Sequence, residues 1–421
     1  MLVADMTIIL YAIPVFFLLI GIELLMEKRR NTQYYRVNDA ISSLSAGVLS
    51  RMVGIFKSLV PFTLYILVYE NAALMTLPET LWVWIIAFVL YDFFYYWNHR
   101  FGHEVSLFWA SHVVHHSSED YNLTTALRQT SGGFFTFIFY MPMALLGFDP
   151  VMLLTVGALN LVYQFWVHTQ HIGKLGWLEW ILVTPSNHRV HHAQNQIYLD
   201  RNYGGVFIIW DRLFGSFQDE LEDEKPIYGV RKALHSWNPF WANLQIYSQL
   251  IKDSVHTKKW SDKVRVWFGR TGWRPADVSA AYPITPVDLT QFTRFDTELT
   301  KATKVYVIVQ YVLTAIVGVY LMMNATNMAI VTQLLVASYV IASSVNVAWV
   351  MENRSAAMRI EWLKNSLVML ASLLVYMPQW LSATLFVGAL LSLCLLVAVK
   401  RSQPQVDQSS VSQQDSLHKL T

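Results

Sequence analysis

Ten of the thirteen histidines in this chain lie between His99 and His192. They form four groups: His99/His103, His112/His115/His116, His168/His171 and His188/His191/His192. His99-Arg-Phe-Gly-His103 sets two imidazoles at i and i+4, which a helix carries on one face a turn apart. The same spacing lets two rings share an ion in the zinc-protease helix motif. His112-Val-Val-His115-His116 and His188-Arg-Val-His191-His192 each add rings at i, i+3 and i+4, a repeat that suggests two similar half-sites. His168-Thr-Gln-His171 follows an apolar run and can close the cluster from another side. One such pair alone is more often a solvated or core pair than a site. Four groups, each at the exit of an apolar segment, point to a shell for transition metal.

The chemistry follows from ligand type. Imidazole suits zinc, copper, iron and nickel, and this many rings exceed what one ion can hold, so two ions are expected. Two irons with open positions would serve dioxygen chemistry, whereas two zincs would serve hydrolysis by Lewis-acid action. The single cysteine, Cys394, lies in an apolar run, which excludes a disulfide framework and a thiolate metal site. A Walker loop, a GxSxG elbow and a GxGxxG element are all absent from the sequence, against simple nucleotide or serine-esterase readings. Asp92, seven residues before His99, shares its helix face and is a candidate for orienting a ligand. Glu104 directly follows His103. It is the other candidate catalytic carboxylate, as an orienting group or proton path, set against a solvated interfacial residue. Glu119-Asp120 is weighed in the same way. Isolated His235, His256 and His418 read as surface residues, and Tyr203-Gly204-Gly205 as a point of close backbone packing.

These residues must be positioned by membrane helices. The chain has 421 residues, 54% hydrophobic and only 14% charged, where a soluble domain has about 25% charged residues. The net charge of +2 gives no reason to expect nucleic acid. Apolar runs near the required length of about 20 residues occur at 7–25, 52–69, 81–97, 134–146, 151–167, 305–323, 328–350, 361–377 and 381–399. The first has basic residues after it rather than before it (Lys28, Arg29, Arg30), so it reads as a retained span and not a cleaved signal. Alternating spans that start outside leave outer loops free of Lys and Arg. The inner pieces then carry Arg100, Arg128, Lys174, Arg189, Arg201, Lys258, Lys259, Arg354, Lys400 and Arg401, which predicts a cytoplasmic site. The expected architecture is an all-α polytopic membrane protein with a cytoplasmic di-metal site in histidine boxes. Its expected parts are a catalytic domain at 1–255, a cytoplasmic connector at 256–300, a four-span block at 301–400 and a disordered polar tail at 401–421.

HRFGH, HVVHH, HTQHI and NHRVHH resemble the boxes of the membrane-bound fatty acid hydroxylase / sterol desaturase superfamily. Three longer strings are more specific: HHSSEDYNLTTALRQ from His115, YQFWVHTQ from Tyr163 and TPSNHRVHHAQNQIYLDRNYGGVFIIWDRLFGSF from Thr184. They look most similar to its alkylglycerol monooxygenase branch, over about residues 80–240. The resemblance implies a di-iron membrane monooxygenase that hydroxylates a lipid C–H bond beside a glycerol ether oxygen, releasing fatty aldehyde and glycerol. It also implies dioxygen, a lipid substrate drawn from the bilayer and tetrahydrobiopterin or another electron donor. His99, His103, His112, His115, His116, His168, His188, His191 and His192 match the box positions, and Glu104 an acidic one. Asn187 stands where animal members carry a further histidine, and His171 where they carry an apolar residue. Two other readings stay open: a sterol, carotenoid or acyl-lipid hydroxylase or desaturase of the same superfamily, and a non-redox zinc-binding membrane protein. A metal transporter is disfavoured, because its ligands would sit near span centres.

Overall fold

The computed structural model describes residues 3–402 except position 286. His418 and all but the first two residues of the expected polar tail lie outside the described residues. Every regular element among the described residues is helical. Strand-like pairing is limited to three isolated bridges, Val105 with Arg270, Leu182 with Phe207 and Ala193 with Tyr228. The chain divides into two compact units, Met1–Asp296 with Thr314–Ala348, and Thr297–Leu313 with Trp349–Thr421. All four histidine groups belong to the first.

In that unit α1 (Val3–Arg30) ends on Lys28, Arg29 and Arg30, which complement the helix dipole, and Asn31 follows at φ 52° as a left-handed stop. α2 (Val37–Lys57) and α3 (Leu59–Ala72) meet at a 49° bend. Pro61 in the first turn of α3 lacks the amide that would continue the ladder, and the Ser58 hydroxyl donates to the Gly54 carbonyl at 2.8 Å. α4 (Leu81–Glu104) starts at Thr80, whose hydroxyl caps the first turn. Its 24 residues span about 36 Å, longer than a hydrocarbon core of about 30 Å. It is therefore long enough to cross, with His99 near the far edge of the slab and His103 in its last turn just beyond it.

α5 (Ser106–His116) follows at once and carries the second group. α6 (Pro150–Phe165) is launched by Asp149, which accepts from the Val151 amide at 2.7 Å, with Pro150 in the first helical position. It ends three residues before His168. α7 (Pro185–His191) carries the last group. Behind α5 runs α8 (Pro239–His256), which also touches α2, while α4 packs on both α5 and α6. Val113, Val114, Ala46, Leu234 and Ala242 form the apolar wall behind the α5 histidines. Tyr65, Ala87, Met143, Phe148 and Val156 form a core between α3, α4 and α6.

Five helices are long and apolar enough to cross a membrane, and the bent α2–α3 pair would make a sixth. The nine expected spans were too many. Residues 134–146 form a 3-10 turn, Phe134–Tyr140, and a short helix, Met141–Leu145. The 16 residues of α6 reach about 24 Å. The helix Ala357–Leu374 carries Arg359, Glu361 and Lys364 in its first half, leaving too short an apolar run to cross. Within the second unit, Gln310 donates to Asn365 at 3.1 Å and to Ser392 at 2.6 Å, and Lys364 pairs with Glu361 at 2.7 Å. Such polar contacts tie apolar helices together.

Candidate metal centre

Nine of the ten clustered histidines converge into two adjoining groups. His99, His103, His112, His116 and His191 form one, and His115, His168, His188 and His192 the other. Within each group the facing ligand atoms all lie within 4.8 Å of one another. The groups abut, with the rings of His116 and His192 stacked at 4.3 Å between centroids. Helical phase explains the division. In both HxxHH copies the i and i+4 rings go to one group and the i+3 ring to the other. α5 gives His112 and His116 to the first and His115 to the second. α7 does the reverse, giving His191 to the first and His188 and His192 to the second. α4 adds His99 and His103 to the first group, and the turn after α6 adds His168 to the second.

The contact atoms are the Nε2 nitrogens. In the first group they lie 2.9 Å apart for His99 and His112, 3.2 Å for His103 and His116, and 3.0 Å for His112 and His116. In the second the separations are 3.2 Å for His115 and His168, 3.1 Å for His168 and His188, and 3.2 Å for His188 and His192. Adjacent ligands about 2.1 Å from one ion at right angles stand about 3.0 Å apart. The spacing is therefore that of coordination edges, and the residues fit a pair of imidazole-bound metal ions.

Ring orientation is fixed from behind. The Nδ1 of His99 meets the Tyr203 carbonyl at 2.7 Å, that of His115 the Arg128 carbonyl at 3.1 Å, that of His168 the Gln164 carbonyl at 2.8 Å and that of His191 the Arg201 carbonyl at 2.9 Å. A carbonyl can only accept, so each Nδ1 carries the proton and each Nε2 presents its lone pair inward. Burial disfavours the imidazolium form. It pushes His112, His116, His168, His188, His191 and His192 well below the ordinary histidine value, and His115 down to about 4. Neutral imidazole is the form that binds metal. His103 has a carboxylate neighbour instead, Asp200, 3.7 Å from its Nδ1.

α7 is set by a short local code. Pro185 occupies the first turn, and Thr184 and Asn187 bond reciprocally as a capping box. Beneath them, buried Glu179 accepts from Ser186 at 2.6 Å, Thr184 at 3.0 Å and the Leu175 amide at 2.8 Å. Behind α5, fully buried Arg128 donates to the Val114 carbonyl and the Ser117 hydroxyl, both at 3.0 Å. Its charge meets the negative end of α5.

The other expected site residues fall outside the centre. His171 belongs to neither group; its ring lies edge-on to Tyr34, in a segment that is no longer helical. Glu104 pairs with Arg100 at 2.9 Å and reaches no histidine. Asp92 reaches none either. One of its oxygens accepts from Asn160 at 2.7 Å and the Val206 amide at 2.8 Å, the other from the Phe207 amide and the Trp210 indole at 3.0 Å each. Its four hydrogen bonds clamp the loop that begins at Tyr203. Asp211 is a second clamp, missed in the sequence, which accepts from the Tyr203 and Gly204 amides at 2.7 Å each. The paired glycines were the readable signal. A Cβ on Gly205 would stand 2.8 Å from Asp92, and one on Gly204 would stand 2.5 Å from the Phe207 carbonyl. Of the acidic pair, Asp120 is bound by Arg36 at 3.0 Å and Arg294 at 2.9 Å, and Glu119 accepts from the Phe295 amide at 2.5 Å.

The match to known proteins covers the segment that carries the histidines. The fatty acid hydroxylase family model matches residues 84–216, which hold every clustered histidine. The alkylglycerol monooxygenase of Homo sapiens is 38% identical over 333 residues, covering 78% of this chain and 74% of that protein. The alkylglycerol monooxygenase of Danio rerio is 36% identical over 383 residues, covering 89% and 84%. That of Xenopus tropicalis is 36% identical over 352 residues, covering 83% and 78%. No solved structure matches significantly. The chain belongs to the alkylglycerol monooxygenase family, as a multi-pass membrane enzyme of the fatty acid hydroxylase superfamily that oxygenates lipid.

Proposed function

We propose that the enzyme hydroxylates the alkyl carbon beside the ether oxygen of an alkylglycerol, with two irons, dioxygen and tetrahydrobiopterin as the electron donor. The observation that carries the reading is the pair of all-imidazole groups with Nε2 atoms 2.9–3.2 Å apart. In it His99, His103, His112, His116 and His191 would hold one iron, and His115, His168, His188 and His192 the other. Bound iron supplies the activation of dioxygen. One oxygen atom enters the C–H bond and the other leaves as water, with two electrons and two protons consumed. The product is a hemiacetal, which collapses to a fatty aldehyde and glycerol.

The protein's own contribution is positional. Four backbone carbonyls hold the Nδ1 protons, so the rings are oriented before any ion arrives. Burial keeps the imidazoles neutral and excludes water from the site. Because His99 and His103 sit near the end of a membrane-length helix and the other histidines gather on them, a lipid that stays in the bilayer can bring a carbon near its headgroup to the site, and position selects the bond. Arg100, Arg128, Lys174, Arg189 and Arg201, which surround the histidine groups in sequence, support a cytoplasmic site.

The test is product identification. The full-length protein in lipid nanodiscs, loaded with ferrous iron, is given an alkylglycerol, tetrahydrobiopterin and isotopically labelled dioxygen, with borohydride trapping. Labelled fatty alcohol, formed from the aldehyde, is expected. Turnover of a sterol, carotenoid or acyl lipid with the ether lipid untouched would overturn the substrate assignment. Two zincs that resist replacement by iron would overturn the redox reading.

A further inference from the structure

Close to the centre lies an apolar surface that the catalytic reading does not use. Trp177 and Trp180 stand at i and i+3 of the 3-10 turn Gly176–Trp180, a spacing that eclipses side chains and aims both indoles the same way. They are 71% and 65% exposed. Ile181, Ile209 and Leu213 are exposed beside them. The two segments are joined by the Leu182–Phe207 bridge, with Val183 donating to Val206 at 2.8 Å and Ile208 to Ile181 at 3.0 Å. Arg212 ties them further, its guanidinium 4.3 Å from the Trp180 ring centre and 3.6 Å from that of Phe217.

The depth of this surface can be read along α4. Phe207 packs on Phe88 at 6.2 Å, Trp210 on Phe93 at 5.2 Å and Phe214 on Trp97 at 4.9 Å. Phe88 and Trp97 lie 7 and 16 residues beyond Leu81, where α4 begins. At 1.5 Å per residue, that is about 10 to 24 Å along a span whose apolar slab is about 30 Å thick. An apolar surface held at that depth on a spanning helix borders hydrocarbon or its interface. Charge agrees: the one carboxylate between residues 172 and 183, Glu179, is buried, while Lys174 is exposed. Exposed tryptophan with a nearby cation is the composition of a membrane interface.

We propose that Trp177, Trp180, Ile181, Ile209 and Leu213 form a ledge immersed among the lipid alkyl chains of the leaflet next to the metal centre. His188 follows Ile181 by seven residues, and Tyr203, whose carbonyl orients His99, precedes Phe207 by four. Lipid chains on the ledge are therefore one short segment from both groups of ligands. That they include the substrate rests on the lipid-monooxygenase reading; the immersion itself does not.

The test measures immersion without turnover. In full-length protein carrying Cys394→Ser, a nitroxide is attached at Trp180→Cys or, separately, at the milder Leu213→Cys. Glu222→Cys, exposed on the same unit, gives the aqueous reference. Samples in phosphatidylcholine–phosphatidylglycerol nanodiscs are read by power-saturation resonance with oxygen and a water-soluble nickel chelate. The expected result is an oxygen-to-nickel collision ratio above one at both ledge sites, reversed at Glu222→Cys. A ratio below one at the ledge sites would overturn the proposal. So would low accessibility to both reagents, which would mean a protein partner covers the ledge. Either failure leaves the oxygenase reading standing.

Discussion

Replacing Asp92 by asparagine separates a positioning role from a catalytic one. Its two oxygens each accept two hydrogen bonds, from Asn160 and the Val206 amide on one side and from the Phe207 amide and the Trp210 indole on the other. An asparagine keeps one oxygen and turns an NH2 toward two donors, whichever way the amide is placed. Two bonds to a charged acceptor are lost, each contributing about 1.5–3 kcal/mol, and the four donors are buried. The expected loss is about 3–6 kcal/mol, a large part of the roughly 5–15 kcal/mol of a typical domain, and a melting temperature lower by on the order of 10 °C. The damage should then pass along the loop to the Tyr203 carbonyl and so to His99, loosening the five-histidine group first. The assays are thermal unfolding in detergent and metal content per chain. Asp92→Asn that melts within about 2 °C of the parent, keeps its full metal complement and still loses turnover would refute the clamp and return Asp92 to the chemistry.

Other outcomes test the remaining parts. His168→Ala leaves the second group with three nitrogens and should drop bound metal to roughly half, whereas His171→Ala should leave metal content unchanged; mass-spectrometric metal analysis separates them. Gly205→Ala forces a Cβ against Asp92 and Tyr95, both at 2.8 Å, so it should destabilise. Combined with Asp92→Asn it should be non-additive, since both act on one contact. Burial raises the Glu119 carboxyl to about 7 from 4.5. The folded state then binds more protons than the unfolded one between those values, so stability falls as pH rises through that window, by about 3 kcal/mol in all. Glu119→Gln should flatten this dependence, melting higher than the parent at pH 8 and no higher at pH 5. Parallel melting curves for the two proteins across the range would count against it.

The site was legible where chemistry sits in side chains at helical spacing. The i, i+3 and i+4 rings of His112, His115 and His116 converge because α5 is helical through all three. His171 is left out of both groups for the same reason in reverse: α6 ends at Phe165, so the i+3 spacing from His168 no longer defines a face. Asp92 does share the face of His99, but seven residues along a helix is about 10 Å, too far to touch. Glu104, one residue after His103, is rotated about 100° away and meets Arg100 one turn back. The carbonyls of Arg128, Gln164, Arg201 and Tyr203 left no trace, because any residue has a carbonyl. Apolar composition also misled at 134–146, where the run is too short to cross and Gly133, at φ 75°, precedes a 3-10 turn.

The same geometry explains how an irregular cap is held in one arrangement. Between His116 and Pro239 the chain has only short helices and α6, with long irregular stretches. Its hydrophobic clusters there are small, such as Val167, Val183 and Ile208. Yet nine imidazoles from α4, α5, the turn after α6 and α7 meet within two adjoining groups. Nε2 lone pairs about 3 Å apart repel unless a cation lies between them, so the arrangement is unfavourable without metal and strongly favoured with it. An ion in the five-histidine group would cross-link elements as far apart in sequence as His99 and His191. The free energy of metal binding would then become folding free energy of the cap, and the carbonyl-held Nδ1 protons reduce what must be ordered on binding. It follows that metal removal should loosen the cap while sparing the membrane helices. Hydrogen exchange in the chelated protein should rise in residues 117–238 and stay low in α1 and the apolar part of α4; uniform exchange in both would mean that packing alone orders the cap.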